Sequence, residues 1–382
     1  MSELVLTEEQ ELLRRTAADF FQSHSPLTRV RQLRDSDDAV GYSVDLWRQM
    51  SALGWPGIVL PEEHGGLGLG YAELILVLEE LGAALAPEPF LSTVLLGANA
   101  ILLGGSAERR AQVLPRVASG EEILALAHHE PLARHHVHRV MTTVERDPDG
   151  SLLLTGEKDL VLDGPSATRL VVSARSSGHA ADVEGIDLFL VDPAAPGVSV
   201  RRQHLLDSRS AALVHLNDVA VTDADRIGAA GQGGAILDRV IDRALVGLSA
   251  EMLGGMRRAF EMTVAYLRER EQFGVKIGSF QALKHRAARM FVQVELARSA
   301  VMAAARAVDD DSPDLSRLAA LAKAQLSDGF VHVANEAVQM HGGIGMTDEH
   351  DIGFFLKRAR AAELTLGDAA HHRDRYASLE GY

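Results

Sequence analysis

The spacing of hydrophobic positions changes twice along this chain. In the first part, apolar side chains recur every three or four residues, as at Leu13, Ala17 and Phe21, which is the spacing of an amphipathic helix. In the middle part, short apolar runs bounded by turn residues are typical of strands. The helical spacing then returns. We therefore predict three domains: a helical domain over 1–120, a β-domain over 121–226 and a helical domain over 227–382.

Capping and turn residues divide the first domain into helices. Thr7 and Gln10 have the spacing of a capping box, in which each side chain bonds the backbone N–H of the other residue. Gly54 predicts a helix end, because glycine tolerates positive φ. The segment PEEHGGLGLG at 61–70 predicts a loop. Beyond the helix that starts after Thr7, the predicted helices are Asp45–Leu53, Tyr71–Leu81, Phe90–Leu103 and Ala107–Ala118.

The middle domain has the pattern of a small antiparallel barrel or sandwich. Asp147-Pro-Asp-Gly150 is a strong turn signal between two strands, and Pro193–Gly197 predicts a loop. The predicted strands are Ile123–Ala127, Val137–Glu145, Ser151–Thr155, Arg169–Ala174, Ile186–Val191 and Ala212–Leu216. The later pair Gly233-Gly234 lacks both the GxGxxG spacing and a surrounding βαβ pattern, which argues against a Rossmann dinucleotide site.

Composition and charge narrow the classes of partner. The formal net charge is −15, which argues against nucleic acid or an anionic membrane as a partner, because both require a basic face. The chain has no cysteine, so disulfides and thiolate metal sites are excluded. The apolar stretch Phe90–Gly105 is interrupted by polar residues and is shorter than the roughly 20 residues that span a bilayer. The first residues, MSELVLTEEQ, lack the pattern of a secretory signal, and we expect a cytoplasmic protein.

Two segments of the C-terminal domain combine glycines, amides and arginine: YLREREQFGVKIGSFQ at Tyr266–Gln281 and QMHGGIG at Gln339–Gly345. With LGWPGIVLPEEHGGLGLG at Leu53–Gly70 and LTGEKDLVLDG at Leu154–Gly164, they resemble the acyl-CoA dehydrogenases over essentially the whole chain. The resemblance implies an α+β fold ending in a four-helix-bundle-like domain. It also implies a tetramer, bound FAD, an acyl-CoA substrate of fatty or sterol origin, and electron transfer to an electron-transfer flavoprotein.

The resemblance assigns eight residues to the cofactor. Arg270 and Gln272 would contact the pyrophosphate, because a guanidinium fork suits phosphate oxygens. Phe273 would pack near the adenine. The glycines would let the backbone approach the adenosine diphosphate moiety, which a Cβ would block, and two further glutamines would add amide contacts. The full set is Arg270, Gln272, Phe273, Gln281, Gln339, Gly342, Gly343 and Gly345.

The groups that would carry out the family reaction are replaced. That reaction removes an α-proton from the acyl thioester while a β-hydride passes to the flavin, so it needs a positioned carboxylate base. The two positions at which family members carry this glutamate hold Ala244 and Ala370. His129 stands where the family has the threonine of a flavin-binding segment, and Leu160 and Leu162 replace a tryptophan and a threonine. The losses thus fall on groups that hold a subunit's own flavin ring.

The retained groups are those that a family member contributes to the FAD of a neighbouring subunit. The chain therefore resembles the divergent subunits of heterotetrameric bacterial acyl-CoA dehydrogenases, and we expect it to be inactive alone. The alternative is a non-redox acyl-CoA-binding or protein-binding module that kept the fold. Glu251 is a weak candidate for a replacement base and is better explained as an interhelical or interface carboxylate. Asp242 is expected to be a surface charge, and Asp368 is an equally weak candidate for a bond to a group near the flavin.

A run of histidines raises the question of a metal site. The run comprises His128, His129, His135, His136 and His138. Alternation along a strand would turn its members to opposite faces, and no nearby acidic residue except Glu130 supports the geometry that zinc demands. We predict ordinary polar histidines and no metal.

Overall fold

A computed structural model describes residues 6–36, 38–147 and 150–382. Its α-helices are α1 (Glu8–His24), α2 (Thr28–Asp35), α3 (Val44–Ala52), α4 (Tyr71–Ala83), α5 (Asn99–Gly104), α6 (Ala107–Ala118), α7 (Gly233–Glu269), α8 (Gln281–Asp309), α9 (Leu315–His341), α10 (Ile352–Leu364) and α11 (Ala369–Leu379). Its strands are β1 (Leu124–Ala127), β2 (Thr143–Arg146), β3 (Leu152–Leu162), β4 (Arg169–Arg175), β5 (Ile186–Val191), β6 (Val198–His204), β7 (Ser210–Val221), β8 (Arg226–Ile227), β9 (Glu271–Gln272) and β10 (Val275–Lys276).

The predicted α+β class is confirmed, with helical segments on either side of a β-sheet in the sequence. The chain divides into two compact units: one comprises Met1–Asp35, Gly70–Ala86 and Leu245–Tyr382, and the other comprises Ser36–Leu69 and Pro87–Ala244. The domain limits at residues 120 and 226 stay predictions. No helix of the described residues is long and apolar enough to cross a membrane.

Local signals placed α1 and α3 to within a residue or so, whereas α2 was not predicted. The amide of Gln10 donates to Thr7 Oγ1 at 3.2 Å, and the amide of Thr7 donates to Gln10 Oε1 at 3.1 Å, so the capping box is confirmed. Gly54 has a φ of 76° directly after α3, as its position at the helix end requires. The predicted helix Phe90–Leu103 is also helical, but its first half, Leu91–Ala98, is a π-helix.

The β-domain is a single open sheet in the order β6-β7-β3-β2-β4-β5-β8, with β1 pairing with β4. Most pairs are antiparallel, as predicted, whereas β1 lies parallel to β4. The strand β6 was missed by the sequence analysis. It pairs with β7 alone and is partly exposed along its whole length, so its polar residues give no alternating apolar pattern. The predicted turn after Asp147 includes Pro148 and Asp149, which lie outside the described residues.

The strand predicted at Val137–Glu145 is wrong over most of its length, because β2 covers only Thr143–Arg146. The carboxylate of Glu130 accepts the amide N–H of Met141 at 2.6 Å and that of Thr142 at 3.0 Å. A buried amide must have an acceptor, and here a side chain supplies it in place of a neighbouring strand. The alternating sequence pattern could not reveal this.

Buried charges join the helices of the first unit. The carboxylates of Glu79 and Glu80 on α4 are nearly inaccessible to solvent. Arg257 on α7 donates to Glu79 at 2.8 Å and to Glu80 at 2.9 Å, and Arg298 on α8 donates to Glu79 at 2.9 and 3.0 Å. Burial raises the pKa of Glu80, and Arg257 opposes that rise. Each of the two carboxylates therefore has an arginine partner from another helix.

We predict that Arg257→Met lowers the free energy of unfolding by about 3 kcal/mol or more, because two buried carboxylates lose a partner. Arg258→Met is the matched control. Its guanidinium is half exposed and lies 3.8 Å from Glu261, so its loss is expected to stay within about 0.5 kcal/mol. Urea unfolding of both variants measures the difference. Equal losses would show that the buried cluster contributes no more than a surface charge.

Candidate functional site

The first motif forms a tight hairpin between two long helices. After α7 the chain turns through β9 and β10, with Gln272 paired to Val275. The two residues between them, Phe273 and Gly274, have φ values of 55° and 77°, as a two-residue hairpin of type I′ requires. The amide of Ile277 donates to the carbonyl oxygen of Arg270 at 2.9 Å and closes the hairpin. The helix α8 then begins at Gln281. The backbone N–H groups of its first turn have no acceptor within the helix.

The second motif ends α9 and turns the chain. Gly342 has a φ of 66°, which strains any residue with a side chain. A Cβ built on Gly342 or on Gly343 meets no atom of the described residues within 4 Å. A side chain would therefore be strained by the backbone at Gly342, but at Gly343 it would meet no clash with the described part of the chain. Gly345 differs, because a Cβ there would lie 2.6 Å from the carbonyl oxygen of Val338. It is needed for the turn itself.

A ring stack joins the two motifs. Tyr266, near the end of α7, stacks on His341, the last residue of α9, with ring centroids 4.5 Å apart. The ring of His350 lies 4.4 Å from that of His341. The Nδ1 atom of His341 is 2.7 Å from the carbonyl oxygen of Ala337, and burial lowers the pKa of His341, so the ring is neutral at pH 7. The hairpin and the glycine turn are thus held together as parts of one surface, which we call the hairpin–glycine surface.

Two arginines of α2 fix the loop that follows the glycine turn. Arg31 donates to Asp348 and to Asp351, both at 2.8 Å. Its guanidinium also lies 5.0 Å from the ring centroid of Phe354, and that of Arg34 lies 5.5 Å from it. The sequence analysis missed these contacts, because more than 300 residues separate the partners along the chain and neither segment carries a motif.

The residues that the sequence analysis assigned to a cofactor are mostly exposed. Arg270, Gln272, Gln281, Gln339, Gly342 and Gly343 are exposed, whereas Gly345 is buried. Phe273 is 92% exposed and makes an edge contact with Phe280 at 6.1 Å. Arginine and amide donors, an uncovered aromatic ring and two glycines without neighbours suit a ligand that carries both phosphate and a planar ring. These residues therefore fit the adenosine diphosphate part of a dinucleotide.

The positions expected to hold a catalytic base carry no carboxylate. Ala244 is fully buried and Ala370 is exposed at the start of α11. Glu251 is buried and accepts a bond from Arg358 of α10 at 3.0 Å, so it is the interhelical carboxylate that we expected. Asp368 caps α11 by accepting the amide N–H of His371 at 2.8 Å. Asp242 is buried, and its predicted surface position is wrong.

A buried lysine holds the loop between α10 and α11. Lys323 of α9 donates to the carbonyl oxygens of Glu363 and Gly367 at 3.0 and 2.6 Å, and to Ser327 Oγ at 2.9 Å. Burial lowers the pKa of Lys323 to about 7. His372 lies 2.9 Å from the carbonyl oxygen of Leu366, and burial together with the Lys323 ammonium lowers its pKa to about 3. The loop that leads to Ala370 is therefore fixed from both sides.

The two β-domain segments expected to depart from the family pattern contribute a buried ion pair to each other. Lys158 Nζ lies 2.6 Å from Glu130 Oε1 and is fully buried. Burial lowers the pKa of Lys158 to about 8. Burial alone would raise the pKa of Glu130, but Lys158 and bonds from Thr142 hold it below its ordinary value. Leu160 is 44% exposed with a φ of 50°, and Leu162 is half-buried at the end of β3.

The histidines near residue 130 show no metal geometry. Among the described residues, no group of three or more histidine, cysteine or acidic side chains could hold a metal ion. His138 lies 3.0 Å from Asp238. Burial lowers the pKa of His128 to about 4, which makes it a neutral ring at pH 7. His129, at the position of the family's threonine, is half-buried.

Comparison with known proteins identifies the family. The family models match this chain over residues 7–121 for the acyl-CoA dehydrogenase N-terminal domain, 125–219 for its middle domain and 231–378 for its C-terminal domain. The chain therefore belongs to the acyl-CoA dehydrogenase family of oxidoreductases, and the resemblance seen in the sequence is confirmed.

Individual relatives are similar over nearly the whole chain. Acyl-CoA dehydrogenase IpdE2 of Mycolicibacterium smegmatis is 34% identical over 366 residues, which cover 95% of this chain and 96% of that protein. Among solved structures, a variant of the Tcur3481–Tcur3483 steroid ACAD is 32% identical with a TM-score of 0.87, covering 98% of both chains. The ChsE4–ChsE5 complex from Mycobacterium tuberculosis gives 27% identity and a TM-score of 0.89, covering 100% of both chains.

We predict that the stability gained from Lys323 depends on pH. Its pKa is about 7 in the folded chain, against an ordinary value of 10.5 for a lysine, so between these values the unfolded chain binds more protons. The free energy of unfolding of the natural chain should therefore rise from about pH 7 to about pH 10 relative to that of Lys323→Met. Denaturant unfolding at several pH values measures this difference. Lys284→Met, at an exposed lysine of α8, is the control. For it, the difference in unfolding free energy from the natural chain should not change over this pH range. The same pH-independent difference for Lys323→Met would contradict the prediction.

Proposed function

We propose that this chain is a subunit of an FAD-dependent acyl-CoA dehydrogenase. The hairpin–glycine surface is the observation that carries the proposal, because it presents an arginine, amides and open glycine backbone on a rigid base. When bound, FAD supplies the acceptor for the hydride that leaves the β-carbon of an acyl-CoA thioester, and its electrons pass on to an electron-transfer flavoprotein. The family membership of the chain supports this reaction class.

The chain's own residues bind and orient the cofactor in this proposal. Arg270 supplies charge-assisted hydrogen bonds to the pyrophosphate, and Gln272 adds an amide donor beside it. Phe273 offers an aromatic face to the adenine. The backbone of Gly342 and Gly343 approaches the adenosine diphosphate moiety, since no atom in the described part of the chain lies within 4 Å of a Cβ built on either glycine.

We further propose that the chain is the subunit without the catalytic base, paired with a related chain that carries it. The alanines at both base positions support this role, as does the ion pair that already engages Glu251. The outer face of α8 is consistent with it, because Phe291, Val292 and Leu296 are each about half exposed. An apolar helix face of this kind marks an interaction site. Two structural neighbours are described as pairs, Tcur3481–Tcur3483 and ChsE4–ChsE5.

We expect Arg270→Ala to weaken flavin binding by the assembled oligomer by about tenfold or more, since each lost charge-assisted bond contributes roughly 1.5–3 kcal/mol. Arg268→Ala is the control, because Arg268 is also exposed but belongs to the last turn of α7. Gly343→Ala should fold normally, having no neighbour to clash with, and still lose flavin. The flavin-to-protein ratio from visible absorbance and a fluorescence titration give the answer. Unchanged flavin affinity in Arg270→Ala would refute this assignment.

We expect the purified chain alone to show little acyl-CoA dehydrogenation with an artificial electron acceptor. Ala244 and Ala370 cannot accept a proton, and loss of a positioned base costs about 10²–10⁴ in rate. Co-expression with a related dehydrogenase-like partner chain should restore both activity and bound yellow flavin.

Turnover on the order of 1 s⁻¹ by the chain alone would reveal an unrecognised base. Glu251→Gln would then be the first variant to assay, with Glu269→Gln as its control. A complex that never holds flavin would favour the non-redox binding module.

A further inference from the structure

The β-sheet has an open edge that is separate from the hairpin–glycine surface. The strand β6 ends the sheet order and, among the described strands, pairs with β7 alone. The other end of the sheet order is β8, which has only two residues. The strand β6 has seven residues, VSVRRQH, without proline, and its ladder with β7 runs through seven consecutive pairs with no register shift. Natural edge strands are often short, bulged or broken by proline, because an uninterrupted edge is a template for another strand.

The backbone groups of Val200 lie at this open edge. The amide of Asn217 on β7 donates to the carbonyl oxygen of Gly197 at 3.0 Å, so Gly197 belongs to the residues that bond β7. In an antiparallel ladder these residues alternate with others whose N–H and C=O groups point away from the partner strand. Val200 belongs to the second set, because it lies an odd number of residues from Gly197. No other described residue bonds its backbone groups, so they are available to an added strand.

The two faces of β6 differ in chemistry. Val198 and Val200 are half-buried and pack against the core of the β-domain. Side chains alternate along a strand, so Ser199, Arg201 and Gln203 lie on the opposite face. An added strand would therefore place every second side chain beside the valines and the others beside Arg201. Apolar side chains suit the first set, because they would cover the exposed parts of the two valines.

Charge selects the second set of side chains. The paired segments 198–204 and 210–216 contain two arginines and two histidines and no acidic residue. Arg202 already donates to the carbonyl oxygen of Asp38. Arg201 is exposed, and no described residue forms an ion pair with it. A guanidinium in this position favours a carboxylate on the strand beside it.

The carboxylates on the face of Arg201 lie further from an added strand. Glu157 and Asp159 belong to β3, which β7 separates from β6. Glu157 lies 3.1 Å from His215, and Asp159 accepts a bond from Gln203 at 2.7 Å. Neighbouring strands are about 5 Å apart, so an added strand would lie about 5 Å from β6 and about 15 Å from β3. Because salt screens charges over about 10 Å, Arg201 dominates the field at the edge.

We propose that β6 binds an extended acidic segment of a partner protein as an added strand, with backbone bonds to Val200 and a carboxylate facing Arg201. Backbone bonds supply the affinity of such a strand, and its alternate side chains supply the specificity. A second copy of this chain is disfavoured, because full pairing of two β6 strands sets Arg201 of one copy beside Arg201 of the other, and like charges in this position destabilise a sheet. The edge contains no residue of either cofactor motif, so this binding does not require flavin.

The probe is a fluorescein-labelled peptide of alternating valine and glutamate, about eight residues long, added to the full chain. We expect a saturable rise in anisotropy with a Kd on the order of 100 μM, which weakens as salt is added. A peptide of alternating valine and lysine should bind at least about tenfold more weakly, because like charges then meet at Arg201. Methylation of every second peptide amide tests strand pairing. One of the two sets faces β6 and should abolish binding, whereas the other set faces away and should leave it unchanged.

Variants of the chain separate the backbone from the charge. Val200→Pro removes an N–H group at the open edge, where proline is tolerated because the ladder with β7 does not use that group. It should abolish saturable binding, whereas Val200→Thr, which keeps the N–H group, should retain it. Arg201→Glu should raise the Kd at least about tenfold. Arg169→Glu, on β4 and away from the edge, is its control and should leave the Kd unchanged. Thermal unfolding confirms that each variant folds.

Equal binding of the glutamate and lysine peptides, equal effects of the two methylation sets, or unchanged binding by either Val200→Pro or Arg201→Glu would each overturn the proposal. Self-association of the free chain that Val200→Pro abolishes would also overturn it, because the edge would then belong to a second copy. Flavin content, measured in the same samples, tests the proposed function separately.

Discussion

The contact between Tyr266 and His341 is the interaction on which the candidate site depends. It joins the end of one long helix to the end of another, and each helix leads directly into one of the two motifs. Aromatic pairs of this kind contribute about 0.5–1.5 kcal/mol beyond the area that they bury. The larger effect of the Tyr266–His341 contact is geometric, because this contact sets the distance between the hairpin and the glycine turn. The arginines of α2 act in the same direction by fixing the loop beyond that turn.

The motifs expected to bind the cofactor are retained in this chain, whereas the positions expected to hold a catalytic base carry alanine. The arginine, the amides and two of the three glycines of the hairpin–glycine surface are exposed, whereas Ala244 and Ala370 occupy the two positions at which a base was expected. The loop that carries one of these alanines is nevertheless held by Lys323 and His372. A buried lysine is costly to desolvate, and here its hydrogen bonds to two loop carbonyl oxygens offset part of that cost.

Local sequence signals predicted those parts of the fold in which neighbours along the chain decide the outcome. The helix α6 and the strand β5 have the predicted limits, because their caps, turns and periods are local. The segment before β2 and the edge strand β6 were not predicted. In the first, Glu130 satisfies backbone amides from eleven and twelve residues away. In the second, partial exposure removes the apolar alternation. Sequence reasoning located the two motifs, but not the ring stack or the α2 arginines that position them.

The hairpin carries Phe273 in a form that is fixed before anything binds to it. A left-handed backbone at this residue, a two-residue turn and the bond from Ile277 to Arg270 fix the backbone that carries the ring. Ordering a backbone residue costs roughly 1–2 kcal/mol. Here that backbone ordering is already present in the isolated chain. The entropic cost of ordering this backbone is therefore incurred when the chain folds and not when a ligand binds. The consequence for the free chain is an apolar ring exposed to water.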